Sequence, residues 1–125
     1  MKALRHYNST MKNQFERFNG LERLYGKGSL QRLSACHVAV IGIGGVGSWL
    51  ARSGIGQMTL FDADDICVSN TNRQLHALDG TFGQNKVDVM KARCLAISPE
   101  MQVNAMATFV TPSNMAMLME QGFDL

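Results

Sequence analysis

The run Gly42-Ile43-Gly44-Gly45-Val46-Gly47 places glycine at its first, third and sixth positions, directly after the apolar stretch CHVAVIGI. Without a Cβ, the chain can turn through positive φ and bring backbone N–H groups against phosphate oxygens. A helix beginning at such a turn adds partial positive charge. Asp62 follows Gly42 by twenty residues, at the end of a second apolar run, QMTLFD. In that position an acidic side chain accepts hydrogen bonds from ribose hydroxyls. The implied ligand is a nucleotide, the competing reading being a tight structural turn. These features alone admit NAD, FAD and ATP.

The next residues separate these ligands. DADDICVSNTNRQLHAL and GQNKVDVMKAR put Arg73 and Lys86 after the second strand. A dinucleotide pyrophosphate is largely satisfied by backbone amides and a helix dipole. A triphosphate carries about two more negative charges, and calls for side-chain cations and usually Mg²⁺. Taken singly, each cation is also the kind of residue found as a surface charge; together, near the same strand ends, they lean the reading towards ATP.

Elements that would position these residues can be read along the chain. After a basic polar leader, residues 1–14, a domain is expected over residues 15–125. RFNGLERLYGKGSLQRL reads as helical pieces punctuated by Gly20, Gly26 and Gly28. Cys36 to Ile43 is a buried parallel strand, followed by the glycine turn and a short helix to about Ser53. Gln57 to Asp62 is a second strand, and a polar loop runs from Ala63 to about Phe82. Val87, Met90, Cys94 and Ile97 then recur at helical spacing and predict an amphipathic helix over Gln84 to Ile97, ended before Pro99. MQVNAMATFV predicts a third strand. TPSNMAMLMEQG predicts a helix with Thr111 as N-cap, Pro112 at its first position and Gly122 as C-terminal cap. Met115, Met117 and Met119 read as core or groove packing, and FDL as the opening of a fourth strand. The alternation predicts an α/β class protein, a Rossmann-like doubly wound parallel sheet with its ligand at the carboxyl ends of the strands.

Composition narrows the class. The 125 residues are one domain's worth of chain, 46% hydrophobic, with no apolar run approaching the roughly 20 residues that span a bilayer. The N-terminal residues MKALRHYNSTMKNQ lack the apolar centre of a secretory signal, so a cytoplasmic location is expected. Cys36, Cys67 and Cys94 are odd in number, far apart and form no CxxC pair, which argues against a disulfide framework or a zinc site; reduced, mostly buried thiols are expected. No metal ligand is assigned. Residues 1–36 carry seven Lys and Arg against two acidic residues, while the rest carry five against eight. Such a basic segment fits a solvated arm or a contact to RNA phosphates.

GIGGVG, FDADD, SNTNRQ and GQNK, in that order, resemble the E1-like, ATP-dependent adenylating family that includes the MoeB and ThiF proteins. RFNGLERLYG, GIGGVGSW, ICVSNTNRQLHAL and VTPSN are most similar, within it, to the tRNA threonylcarbamoyladenosine dehydratases, over about Phe15 to Leu125. The resemblance implies transfer of AMP from ATP, with Mg²⁺, to the threonyl carboxylate of the modified adenosine in tRNA, then ring closure with net loss of water. It further implies Gly42, Gly44, Gly45 and Gly47 at the phosphates, Asp62 at the ribose, Ser69, Asn70, Arg73 and Lys86 along the triphosphate, and Arg73 and Lys86 as the catalytic cations. Asn70 and Asn72 also have the character of turn formers. Cys67 lies within the motif but is not expected to act as a nucleophile. A homodimer and contact with a cysteine desulfurase system are implied partners, and no membrane is.

The sequence departs from the family pattern in three places. The helix after the glycine turn is about one turn shorter than in related proteins, which predicts a weakened fold. Gly20 stands where the family carries an arginine directed at a partner subunit's nucleotide, leaving Arg17 or Arg23 as substitutes. The sequence reaches Leu125 before the family's substrate-binding and dimer-forming half, so it reads as the truncated N-terminal half of an E1-like domain. The rival functions are an adenylyltransferase for a ubiquitin-like sulfur carrier protein, a dinucleotide-dependent oxidoreductase, and an inactive nucleotide-binding module.

Overall fold

The computed structural model describes residues 13–125. The basic leader therefore lies, apart from residues 13 and 14, outside the described residues. Residues 13–18 are helical and lead into helices α1 (Gly20–Tyr25) and α2 (Ser29–Ala35). Strand β1 (His37–Ile41), helix α3 (Val46–Arg52), strand β2 (Gln57–Phe61), helix α4 (Lys86–Ile97), strand β3 (Gln102–Met106) and helix α5 (Met115–Met119) come after them in the chain.

All strand pairs are parallel, with β2 between β1 and β3. Val38, Met58 and Val103 form one cross-strand row, and Val40, Leu60 and Ala105 the next. These rows pack with Ala51, Ile55, Val87, Met90 and Cys94, so α3 and α4 share one core face. The alternate side of each strand carries polar groups: Thr59, fully buried, accepts from Asn104 Nδ2 at 3.3 Å and pairs with His37 Nε2 at 2.8 Å.

The chain end decides the topology. Asp124 N–H donates to the His37 carbonyl at 2.8 Å, and Ala39 N–H donates to the Leu125 carbonyl at 2.8 Å. The Phe123 ring lies edge-on to His37 and Phe61, with centroids 4.5 and 6.2 Å away. FDL thus lies along the edge of β1 opposite β2 through these two bonds, but it does not form the fourth strand that its sequence predicts, and the sheet has three strands among the described residues. The strands progress outward from β1 to β3, and the chain then returns to the other side of β1. A reversal of this kind creates a crevice at the carboxyl ends of the strands, where ligands of doubly wound sheets bind.

Other expectations need correction. β3 ends at Met106, short of the predicted run to Val110. Thr111 is not the cap of α5: Asn114 holds that place, and its Oδ1 accepts from Thr111 N–H at 2.8 Å, making a turn before the helix. Gly122 does close the segment at φ +74°, donating to the Met119 carbonyl. Met115 and Met117 are exposed, and Leu118 is the residue α5 buries. Of the thiols, Cys94 is buried, Cys36 half-buried and Cys67 exposed, so burial is not general.

Candidate nucleotide-binding cleft

The glycine turn is built differently at each glycine. Gly42 needs its type for conformation: φ is +85°, and its N–H reaches the Phe61 carbonyl at 2.9 Å. Gly47 needs it for space, since a Cβ there would sit 3.3 Å from Met90 Cγ, where α3 crosses α4. Nothing lies within 4 Å of where a Cβ on Gly44 would be, and Gly45 meets only the Leu75 side chain at 3.6 Å. The middle of the turn is therefore open backbone, of the form a phosphate can approach.

Asp62 fixes this turn from below. It is buried, with Oδ2 accepting from Ile43 N–H at 2.7 Å and Oδ1 from Asp64 N–H at 2.9 Å. Sequence reasoning assigned Asp62 to the ribose; in the structure each of its oxygens already takes one backbone donor.

The loop between β2 and α4 is folded back on itself. Ile66 N–H donates to the Gln84 carbonyl and Gly83 N–H to the Ile66 carbonyl, both at 2.9 Å, with Ile66 buried beneath. This clasp brings Lys86, the first residue of α4, beside Asp64: Nζ lies 3.2 Å from Asp64 Oδ2, and its backbone N–H donates to the Asp64 carbonyl. Lys86 is 7% exposed, so it is a buried, paired cation rather than a free surface one. A single carboxylate partner leaves an ammonium with N–H donors to spare.

Ser69, Asn70 and Arg73 belong to a short 3₁₀ turn, Val68–Asn70, and its continuation. Asn70 is buried, with Oδ1 accepting from Cys67 N–H at 3.0 Å, so its turn-forming character is real. Exposed Arg73 folds back, Nη1 donating to the Ser69 carbonyl at 3.1 Å and to Asn72 Oδ1 at 2.9 Å. Ser69 is exposed beside it.

Two residues without a sequence-derived role complete the cleft. His76 is fully buried, and neither ring nitrogen has a hydrogen-bond partner in the protein. Burial foremost, then Lys86, and to a smaller degree Arg93, push its pKa below the ordinary 6.5; the Gly44 backbone and Asp62 pull the other way. Gly44 lies near enough to act on the ring, although no pair satisfies hydrogen-bond geometry. Arg93, on α4, donates to the Leu75 carbonyl at 3.0 Å and ties the His76 segment down. A lone histidine in a polar loop has no periodicity to mark it, and only the neighbours supplied by the fold reveal it.

The structure thus gathers Gly42, Gly44, Gly45, Gly47, Asp62 and Lys86 at one end of the sheet, with Ser69, Asn70 and Arg73 on the adjoining turn. Arg17 is elsewhere: its guanidinium donates to the Ile97 carbonyl, at the opposite end of α4 from Lys86. Eleven residues of helix at 1.5 Å rise separate the two ends by about 16 Å, so Arg17 does not serve this molecule's own cleft. Arg23 lies in the exposed last turn of α1. Among the described residues no group of three or more His, Cys, Asp or Glu is arranged to hold a metal ion, and no helix is long and apolar enough to cross a membrane.

The model of the ThiF family matches residues 16–125. This chain belongs to the ThiF family. The ThiF-family chain is 52% identical over 116 residues to a tRNA threonylcarbamoyladenosine dehydratase of Haemophilus influenzae, which covers 90% of this chain and 44% of that protein. The Escherichia coli dehydratase is 51% identical over 112 residues, covering 86% and 42%. A crystal structure of the E. coli dehydratase in complex with ATP superposes with a TM-score of 0.84 at 47% identity, over 87% of this chain and 46% of that one. The ThiF-family chain therefore spans about half the length of the curated relatives it matches. A molybdopterin-synthase adenylyltransferase of Salmonella typhimurium is also similar, at 38% identity over 77 residues, 58% of this chain and 31% of that protein.

Proposed function

We propose that this chain is the ATP-binding part of a tRNA threonylcarbamoyladenosine dehydratase. The observation that carries the reading is the open Gly44–Gly45 backbone beside buried Lys86 at the reversal of the chain across the sheet, in a chain similar over 87% of its length to a dehydratase solved with ATP. A carboxylate is a poor electrophile. In the proposed reaction a threonyl carboxylate oxygen attacks the α-phosphorus of ATP, the bond to the β-phosphate oxygen breaks, and pyrophosphate leaves. An intramolecular nucleophile then attacks the acyl carbon, and AMP departs with the former carboxylate oxygen, so the net change in the substrate is loss of water.

In this reading the Gly44 and Gly45 region meets the phosphates, Gly42 and Gly47 shape the turn, and Asp62 faces the ribose while anchoring Ile43. Ser69 and Asn70 line the triphosphate. Arg73 and Lys86 neutralise charge that develops at phosphorus, Arg73 swinging off its own turn to do so. Mg²⁺ accompanies ATP in the proposal as part of the triphosphate complex, because the described residues offer it no ligand cluster. A homodimer, contact with a cysteine desulfurase system and a cytoplasmic location complete the proposal.

Calorimetric titration with ATP–Mg²⁺, NAD and FAD tests the nucleotide. ATP binding that an Arg73→Ala plus Lys86→Ala variant loses supports the site; preference for NAD or FAD, or no ATP binding by the folded chain, sinks it. The similarity to a molybdopterin-synthase adenylyltransferase favours one second reading, adenylation of a ubiquitin-like sulfur carrier protein. Pyrophosphate exchange stimulated by threonylcarbamoyladenosine-containing tRNA, and not by such a carrier, decides between them.

A further inference from the structure

His76 stands out among the titratable groups because its surroundings are all parts of the cleft and its ring is bonded to none of them. It is fully buried with two orphaned nitrogens, and such groups in native structures call for an explanation. A phenyl ring of similar size would fill the same space without that desolvation cost. The charged groups that bear on it come from every side: Lys86 and Arg93 from α4, and Asp62 from the end of β2. The backbone group that bears on it is Gly44's, and it favours the protonated ring. A carbonyl oxygen favours a protonated ring and an N–H opposes it, so the Gly44 carbonyl is the acceptor that this backbone offers the ring.

We propose that His76 is the positioning residue of the glycine turn: its ring N–H takes the Gly44 carbonyl as acceptor when a phosphate draws the turn in, and thereby aims the Gly45 N–H at that phosphate. The geometry of the peptide bond makes the connection. The Gly44 carbonyl and the Gly45 N–H belong to one planar peptide, and no peptide among the described residues is cis. In a trans peptide the two groups point in opposite directions, so holding one fixes the other. Leu75, adjacent to His76, lies 3.6 Å from where a Cβ on Gly45 would be, and Arg93 holds the Leu75 carbonyl at 3.0 Å. The ring is therefore mounted on a segment braced against both the turn and α4. A neutral imidazole provides one N–H without adding a third cation beside Lys86 and Arg93.

The proposal rests on the reading of this turn as the ATP phosphate site, and its test separates the two. ATP and adenosine are titrated into the wild-type chain, His76→Phe and His76→Gln, with thermal melting measured alongside. The expected result is about a tenfold loss of ATP affinity in His76→Phe, the scale of one hydrogen bond, with adenosine affinity and melting temperature maintained. His76→Gln, whose amide retains a donor, recovers most of the loss. In the wild-type chain, nitrogen NMR should show the His76 ring N–H becoming protected from exchange when ATP, but not adenosine, is added. Unchanged ATP affinity in His76→Phe, an equal loss for ATP and adenosine, or an unresponsive ring in a wild-type chain that binds ATP overturns the positioning role alone. The ring measurement decides the matter even where the variants fail to fold. A folded wild-type chain that binds no ATP overturns both readings.

Discussion

At the scale of single residues, Asp62 shows why a side chain's type can be legible while its work is not. Spacing marks it as an acidic group at a strand end, but the hydrogen bonds to Ile43 N–H and Asp64 N–H exist only once the turn and the adjoining loop are folded together. Its replacement by Asn would set an amide NH₂ against one of those two donors. Asp62→Asn is expected to destabilise the fold by about 1–3 kcal/mol, read by urea denaturation, and to weaken ATP binding as the turn loosens. His76 carries a second prediction at this scale. Its pKa is held below the unfolded value near 6.5, so the unfolded chain binds the proton more readily. Stability is then intact above that pH and falls as the solution is acidified through and below it. His76→Phe should remove part of that fall; identical pH profiles for the two chains would refute the assignment. The cysteines differ just as sharply. Burial raises the Cys94 thiol to about 11, whereas Cys67 is exposed. At neutral pH an alkylating reagent should label Cys67 rapidly and Cys94 only on unfolding, as peptide mass spectrometry would report.

At the scale of elements, most of the sheet and its covering helices are legible in the sequence, because their signals are local. Val87, Met90 and Cys94 in α4 occupy the buried positions that their helical spacing predicts, and Val38 and Val40 are buried in the apolar run read as β1, although Ile41 of that run is exposed. The glycine turn announces itself by composition. Other features escape detection: the pairing of Lys86 with Asp64 and the neighbours of His76 come together only in the fold, while the early end of β3 and the Asn114 turn before α5 are local departures that composition does not mark. The shortness of α3 predicts a weakened fold, yet its seven residues still bury Ala51 completely and bring Gly47 against Met90. The tightest joint lies just beyond it, at Gly56. Its N–H donates to the Leu33 carbonyl and its own carbonyl accepts from Gln102 N–H, so α2, β2 and β3 meet there. A Cβ on Gly56 would collide with the Ser34 carbonyl, a backbone atom. Gly56→Ala should therefore cost about 3 kcal/mol or more, whereas Gly44→Ala, where the space is open, should fold normally. Equal melting temperatures for these two variants would contradict a tight joint at Gly56.

At the scale of the whole molecule, the cleft is assembled from segments between Gly42 and Arg93 that include the buried centre of the sheet, and ligand binding should register as global stability. ATP at about a hundred times its dissociation constant is expected to raise unfolding stability by about 2.7 kcal/mol, measured as a shift in the denaturation midpoint. Failure of saturating ATP to move that midpoint would remove the nucleotide from this fold. At this scale too, the Phe123–Leu125 segment against β1 governs the order of assembly. Its contact with His37 joins positions 87 apart, whereas β1, β2 and β3 are linked by successive crossovers. A ribosome delivers the chain in order, so the first strand made is among the last to be flanked on both sides. On a nascent chain halted before Phe123, the His37 and Ala39 amides should exchange with solvent quickly even when β2 is already docked. The opening strand of the sheet would thus pass its early life with one side vacant, a period in which a chaperone or an untimely strand from a neighbour could claim it.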